Sequence, residues 1–295
     1  MISSDLKYPN SQKKLLLDIS MLRSIMFLLF YLMVSACTDQ STYIENLFEA
    51  RHYEEIIDLY NAAPEEYEDS PKGLAFVAKA YFRLRDYDNA VKFYDKAIDL
   101  DPYEPMYYSD KGLLYHKIGD FNKAIMLCDR AIELNSNYPP AYINKSAAYI
   151  GMKKWDWALE ELFHVMKMEV SDEDKAYAYA NLSTVYCNAG DYEKAFSNAS
   201  KAIELNEEIL WAYKNRAFIY MVGNEGAKAM IDIDSGLELE HNDPDLLMYK
   251  GIVLIRLHNE VEIGCIYFRD ALEGLKKRGD DRLEGQISIF ERYCK

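Results

Sequence analysis

Cysteine is scarce in this 295-residue chain: Cys37, Cys128, Cys187, Cys265 and Cys294 are all there are. Their spacings contain no C-x-x-C pair and no metal-ligand pattern, which excludes a thioredoxin-like redox motif and a zinc module. Histidine is equally scarce, and His52, His116, His164, His241 and His258 are scattered without ligand spacing. Only 13 glycines and 8 prolines occur. They form no low-complexity tract, no Gly-rich phosphate loop and no G-x-S-x-G elbow. Basic residues are the minority, 34 against 49 acidic, for a net charge of −15. That balance argues against nucleic acid, which needs a basic face to neutralise its phosphates. Together these absences predict a protein with no metal, no cofactor, no small-molecule substrate and no catalytic site.

Long hydrophobic runs are also missing, with one exception. Residues 25–36 read IMFLLFYLMVSA after Arg23. Twelve residues are too few to cross a bilayer core, which needs about 20. A basic residue, a short apolar run and small residues at its end suit a secretory signal. The run closes as Val34-Ser35-Ala36-Cys37. This resembles the lipobox of bacterial lipoproteins, which implies lipidation of Cys37 and removal of residues 1–36. Because residues 1–20 are polar and delay the run, the pattern suggests a start at Met21. Thr38 follows the cysteine where Asp would signal inner-membrane retention. The resemblance therefore implies an outer-membrane anchor with the protein facing the periplasm. The alternative is a soluble cytosolic adaptor or regulatory subunit in which residues 1–36 stay as an uncleaved helix. Of the other cysteines, Cys128 and Cys187 fall where small apolar residues fit. Cys265 and Cys294 could pair if the last helix folds back on the last repeat.

What is abundant is tyrosine, 25 residues, and it is periodic. Tyr81, Tyr115, Tyr149, Tyr186 and Tyr220 recur every 34 residues, with one spacing of 37. Ala90, Ala124, Ala158, Ala195 and Ala229 keep the same beat. The period divides the chain into 71–104, 105–138, 139–172, 176–209, 210–243 and 244–278, with a weaker unit at 37–70 and residues 279–295 left as a closing helix. Residues 173–175 are an insertion, and the last unit is one residue longer after His258. Each unit reads as two helices. The first has small residues at repeat position 8 (Ala78, Gly112, Ser146, Ser183, Ala217, Gly251) and Tyr at 11, spacings that share one helical face. A turn follows, as in Gly119-Asp120-Phe121 and Gly190-Asp191-Tyr192, where glycine suits a left-handed helix end and aspartate caps the next helix. Lys153-Lys154-Trp155 and Asn224-Glu225-Gly226 are weaker turns. Small residues at position 27 (Ala97, Ala131, Val165, Ala202, Gly236) let the two helices approach closely.

A fixed period of this length marks a helical solenoid, and these positions resemble the tetratricopeptide repeat family. The resemblance implies an all-α, right-handed superhelical solenoid of about seven helix-turn-helix units with a C-terminal capping helix. Lys or Arg at position 7 (Lys111, Lys145, Arg216, Lys250) departs from the leucine common there. Such a stem can lie on the core with its charge in water.

The resemblance also implies a non-catalytic scaffold that binds extended peptide or protein partners in a concave groove. Position 6 faces that groove in the family and holds Asn144, Asn181 and Asn215 on three units. An amide can both donate and accept, so a ladder of them could pair with a peptide backbone. Tyr177, Trp211, Phe218 and Met221 form the apolar cluster best suited to a binding hot spot. The family's chaperone-tail clamp is not matched: Lys79, Lys117 and Lys214 come near it but in different phases. Acidic pairs such as Glu160-Glu161 are expected on outer helices in solvent.

Overall fold

The computed structural model describes residues 40–67, 69–256, 260–278 and 283–294. Cys37 and the segment 1–36 lie outside the described residues, as does the one-residue insertion after His258. Among the described residues there are fifteen α-helices, one short 3-10 turn (Pro64–Glu66) and no strand. The chain divides into two compact units, Met1–Pro102 and Tyr103–Lys295.

The first unit contains α1 (Gln40–Glu49), α2 (Tyr53–Ala62), α3 (Pro71–Arg83) and α4 (Tyr87–Leu100). Helix α3 is its centre and packs on the other three. Ile44, Ile56, Leu74, Val77, Ala78, Ala90 and Tyr94 are buried there. Helices α1 and α2, ten residues each, form a short pair.

The second unit holds four pairs of one kind and a fifth pair with a closing helix. They are α5 (Pro105–Ile118) with α6 (Phe121–Leu134), α7 (Pro139–Gly151) with α8 (Trp155–Val165), and α9 (Asp172–Ala189) with α10 (Tyr192–Leu205). Then come α11 (Leu210–Val222) with α12 (Gly226–Leu239), α13 (Pro244–Arg256) with α14 (Val261–Arg278), and α15 (Leu283–Tyr293). Each first helix packs on its own partner and on the first helix of the next pair. The insertion 173–175 adds a turn to the start of α9, which runs 18 residues.

The chain ends its helices where the sequence says it should. Ser70, Asp86, Asp120, Ser171 and Asp191 each accept a backbone N–H three residues on, at 3.0–3.2 Å. Prolines at the first positions of α3, α5, α7 and α13 lack the N–H that a helix start leaves unpaired anyway. Gly119 (φ 93°) and Gly190 (φ 76°) close α5 and α9 in the left-handed region. Arg51, Arg85, Lys153 and Asn224 take the same turn with φ near 60°, against their side chains' preference. Lys154 and Glu225 supply no side-chain cap, as the weaker turns predicted.

The small residues allow the close approach. The five periodic alanines are fully buried. A Cβ on Gly112 would lie 2.8 Å from Cys128 Sγ and 3.2 Å from the Ala124 carbonyl oxygen. On Gly251 it would lie 2.8 Å from the carbonyl oxygen of Gly264 across the pair. Backbone cannot retreat as a flexible side chain can, so these two glycines fix the α5–α6 and α13–α14 distances. The periodic tyrosines lie over the turns, Tyr149 buried and the others half-buried. Lys123 and Lys194 pair with the capping Asp120 and Asp191 and sit 5.0 and 5.2 Å from the ring centres of Tyr115 and Tyr186. Lys228 repeats this over Tyr220 at 5.5 Å, paired with Glu225.

Candidate functional site

The first helices α7, α9, α11 and α13 place the expected groove residues in consecutive pairs, and the three asparagines share one register. Their amide nitrogens point back to the preceding pair. Asn144 Nδ2 donates to the Ser109 carbonyl (3.2 Å) and Oγ (3.0 Å). Asn181 Nδ2 donates to the Ile143 carbonyl (3.3 Å) and Ser146 Oγ (3.0 Å). Asn215 Nδ2 donates to Thr184 Oγ1 at 2.9 Å. Asn181 is only 7% exposed. The donor side of each amide therefore joins one repeat to the last, a task the sequence pattern did not reveal. A buried amide left unpaired would carry a desolvation cost, and these bonds remove it.

The four hydrophobic candidates lie on two successive first helices, Tyr177 on α9 and Trp211, Phe218 and Met221 on α11. Tyr177 of α9 stacks on Trp211 of α11, with ring centres 5.6 Å apart and planes 27° apart. Phe218, two turns along α11, lies 6.2 Å from Tyr249 of α13 and 6.2 Å from Tyr192 of α10. Met221 packs on the cluster of Ala217, Ile233 and Leu246. All four are half-buried, so each gives part of its surface to inter-repeat packing. The Trp211 indole N–H is buried with no acceptor in the described structure. Greater apolar exposure lies elsewhere, at Tyr103 (75%) before α5 and on second helices at Met126 62%, Trp157 51%, Ile231 66% and Ile266 53%.

Charges at repeat position 7 are not simply in water. Arg216 forms a two-pronged bond with Asp232 of its partner helix, Nε to Oδ2 at 2.8 Å and Nη2 to Oδ1 at 2.7 Å. Lys145 lies 2.8 Å from both Glu161 of its partner helix and Asp129 of the preceding pair. Lys250 reaches back to Asp234 at 2.7 Å. Burial opposes the Lys145 charge, but its bonds to Asp129 and Glu161 outweigh that and raise its pKa. Glu161 is thus a partner in the helix-pair interface, and the expectation that the Glu160-Glu161 pair is merely solvated is corrected for it. Lys214 is held by Asp243 and Asp245, at 3.1 and 2.6 Å, and Asp243 also caps α13 through the Leu246 N–H. That occupation agrees with the mismatch to a carboxylate clamp.

Burial shifts three titratable groups of the first helices and their partners. Burial pushes the Cys128 thiol well up and the Cys187 thiol up to about 11, so neither forms a thiolate nucleophile near neutral pH. Burial, and then Lys117, lower His116 to about 4. Among the described residues no three His, Cys, Asp or Glu side chains are placed to hold a metal. No described helix is long and apolar enough to cross a membrane. Cys265 and Cys294 do pair, with Cα atoms 5.6 Å apart, so the last helix does fold back on the last repeat.

Comparisons with known proteins fit this architecture. Family models described as "Tetratricopeptide repeat" match residues 105–138 and 176–210, and one described as "TPR repeat" matches 78–119. The photosystem I assembly protein Ycf3 of Cyanophora paradoxa is 30% identical over 77 residues, 26% of this chain and 44% of that protein. The chain thus spans less than half the length of this curated relative. The structure of the APC/C hetero-tetramer Cut9-Hcn1 is similar with a TM-score of 0.70 at 15% identity, over 90% of this chain and 51% of that one. A tetratricopeptide repeat protein from Parabacteroides merdae ATCC 43184 aligns with a TM-score of 0.58 at 17% identity, over 84% of this chain and all of that one. At these identities the structural likeness concerns the fold.

Proposed function

We propose, from the premise that this chain is a tetratricopeptide repeat protein, that it is a non-catalytic scaffold anchored by lipid at the bacterial envelope. Proteins built of these repeats act as protein-interaction scaffolds. The groove of α7, α9, α11 and α13 receives an extended segment of a protein partner. The observation that carries this reading is the aromatic row Tyr177, Trp211, Phe218 and Tyr249. It crosses three repeats, is half-exposed, and includes a buried indole donor with no acceptor. Aromatic side chains in such settings dominate interface energetics. The asparagines Asn144, Asn181 and Asn215 hold the first helices in register through their donor bonds to the preceding repeat.

The envelope location is supported by two independent features. One is the Val34–Cys37 pattern after an apolar run. The other is the Cys265–Cys294 disulfide, since such bonds persist in oxidising compartments such as the periplasm and are rare in the cytosol. A lipid on Cys37 would supply the membrane attachment. The mature protein would face the periplasm from the outer membrane.

Two measurements test this. Cells grown with labelled fatty acid should incorporate label into the wild type and not into Cys37→Ser, which should also leave the membrane fraction. Crosslinking from the native host should capture a protein partner through the groove. Trp211→Ala should lower that capture while the circular dichroism melt stays cooperative. Unlabelled wild type would remove the anchor, and unchanged capture by Trp211→Ala would remove the groove.

A further inference from the structure

The last helix pair and α15 form a cleft of about 190 Å³ that is partly open to solvent. Its apolar walls come from three helices: Ile252 and Ile255 of α13, Phe268 of α14 and Ile289 of α15. Two cations also line it, Arg256 in the last turn of α13 and Arg292 in the last turn of α15. A basic residue suits a helix C-terminus, which accounts for each arginine alone. It does not account for both lining one apolar cavity in a chain of net charge −15. Neither guanidinium has an acidic partner among the described residues. Both arginines are exposed and so accessible to a ligand at the cleft.

We propose that this cavity is a binding site for a small apolar carboxylic acid. The hydrocarbon or aromatic part lies among Ile252, Ile255, Phe268 and Ile289, and the carboxylate meets Arg256 and Arg292. A pocket that is mostly apolar with a few convergent polar groups is the usual form of a small-molecule site. The planar guanidinium fork matches a carboxylate in two-pronged geometry and remains charged at any working pH. The roof of the site, α15, buries no residue of its own. It is held by the Phe268–Phe290 contact, with ring centres 5.8 Å apart, and by the Cys265–Cys294 bond. The disulfide is therefore a positioning element for the site: with it cut, Ile289 and Arg292 are no longer fixed over α13. This inference does not depend on the groove or on lipidation.

The test uses the full chain with labelled isoleucine δ1-methyl groups, titrated by NMR with 3-phenylpropanoate and with its neutral counterpart 3-phenylpropanamide. Saturable shifts at Ile252, Ile255 and Ile289 are expected with the acid, and Ile143 and Ile209 should stay put. The amide should bind about tenfold more weakly, and Arg256→Gln and Arg292→Gln should each weaken the acid by a similar factor, as expected for loss of a charge-assisted hydrogen bond. Cys294→Ser, or reduction with dithiothreitol, should weaken binding while the methyls of α5–α12 remain dispersed. Equal binding of acid and amide would overturn the proposal, as would no saturable shift up to about 10 mM. So would a peptide ending in phenylalanine that binds where 3-phenylpropanoate does not.

Discussion

Arg216 and Asp232 sit sixteen residues apart and lock the two helices of one repeat together through paired hydrogen bonds of 2.8 and 2.7 Å. Asp232 is 2% exposed. Its carboxylate is taken out of water and compensated by one planar cation, with Ser200 of the preceding pair 3.5 Å from Nη1. Removing one partner leaves a buried charge without its counterion, which costs far more than the pair contributes. Asp232→Leu should therefore lower stability by about 2 kcal/mol, a value reduced for the partial exposure of Arg216. The double variant Arg216→Met, Asp232→Leu should recover most of it. Urea unfolding of the four proteins in a cycle measures this, and a simple sum of the single losses would refute the coupling.

The asparagine register makes a graded prediction. Asn181 donates to two acceptors in the preceding repeat and is buried, whereas Asn215 makes one such bond and is half-buried. Asn181→Ala should cost about 2 kcal/mol and Asn215→Ala about half that. Thermal unfolding distinguishes them, and equal costs would show that burial is not what these amides contribute.

His116 gives the protein an acid-sensitive point. Burial holds the folded-state pKa at about 4, against 6.5 for an unfolded histidine. The unfolded chain therefore binds the proton first as pH falls. The part of stability linked to His116 is full above pH 6.5 and declines between 6.5 and 4, by an amount on the order of 3 kcal/mol. In His116→Phe this part of the decline should vanish. A denaturation series from pH 7 to 4 that stayed parallel for the two proteins would contradict it.

Backbone strain at the turns can be tested without touching packing. A Cβ on Gly190 would meet nothing within 4 Å, so Gly190→Ala reports the φ of 76° alone. It should cost about 1 kcal/mol. Lys153→Gly, at φ 58°, should raise stability by up to about 1 kcal/mol, offset in part by the added freedom of the unfolded chain. Opposite signs in calorimetry are the expected outcome, and like signs would count against the strain.

The disulfide closes a separation of 29 residues around α15. Cys265→Ser should lower stability by about 3 kcal/mol, within the range for a loop of that size. Hydrogen exchange should localise the loss to α14 and α15 and leave α5–α8 unchanged. Uniform loosening along the chain would mean that the bond does more than hold the last helix.

Most of the fold was legible because its signals are local. Tyr115, Gly119, Asp120 and Ala124 lie within ten residues of each other, and each has a backbone reason to be where it is. The 34-residue repetition multiplied that local signal until the helix pairs could be counted. Side-chain pairs across the turn were less legible. Arg216–Asp232 and Lys145–Glu161 share a separation of sixteen residues, yet nothing in a one-dimensional pattern says which of several acids on the second helix lies opposite. The asparagines share one register in the sequence, but their direction was not readable, since an amide on a first helix can face a ligand or the repeat before it. Only the positions of Ser109, Ser146 and Thr184 bring acceptors to them.

The amino-acid order alone determined the helices, their turns, the small contact residues and the number of repeats, because each rests on conformational preferences acting over a few residues. Three-dimensional packing decided which cations find acids, which amides become internal joints, and that Cys265 meets Cys294. Those outcomes depend on distances between helices, and such distances are set by how whole surfaces fit and by no single stretch of chain.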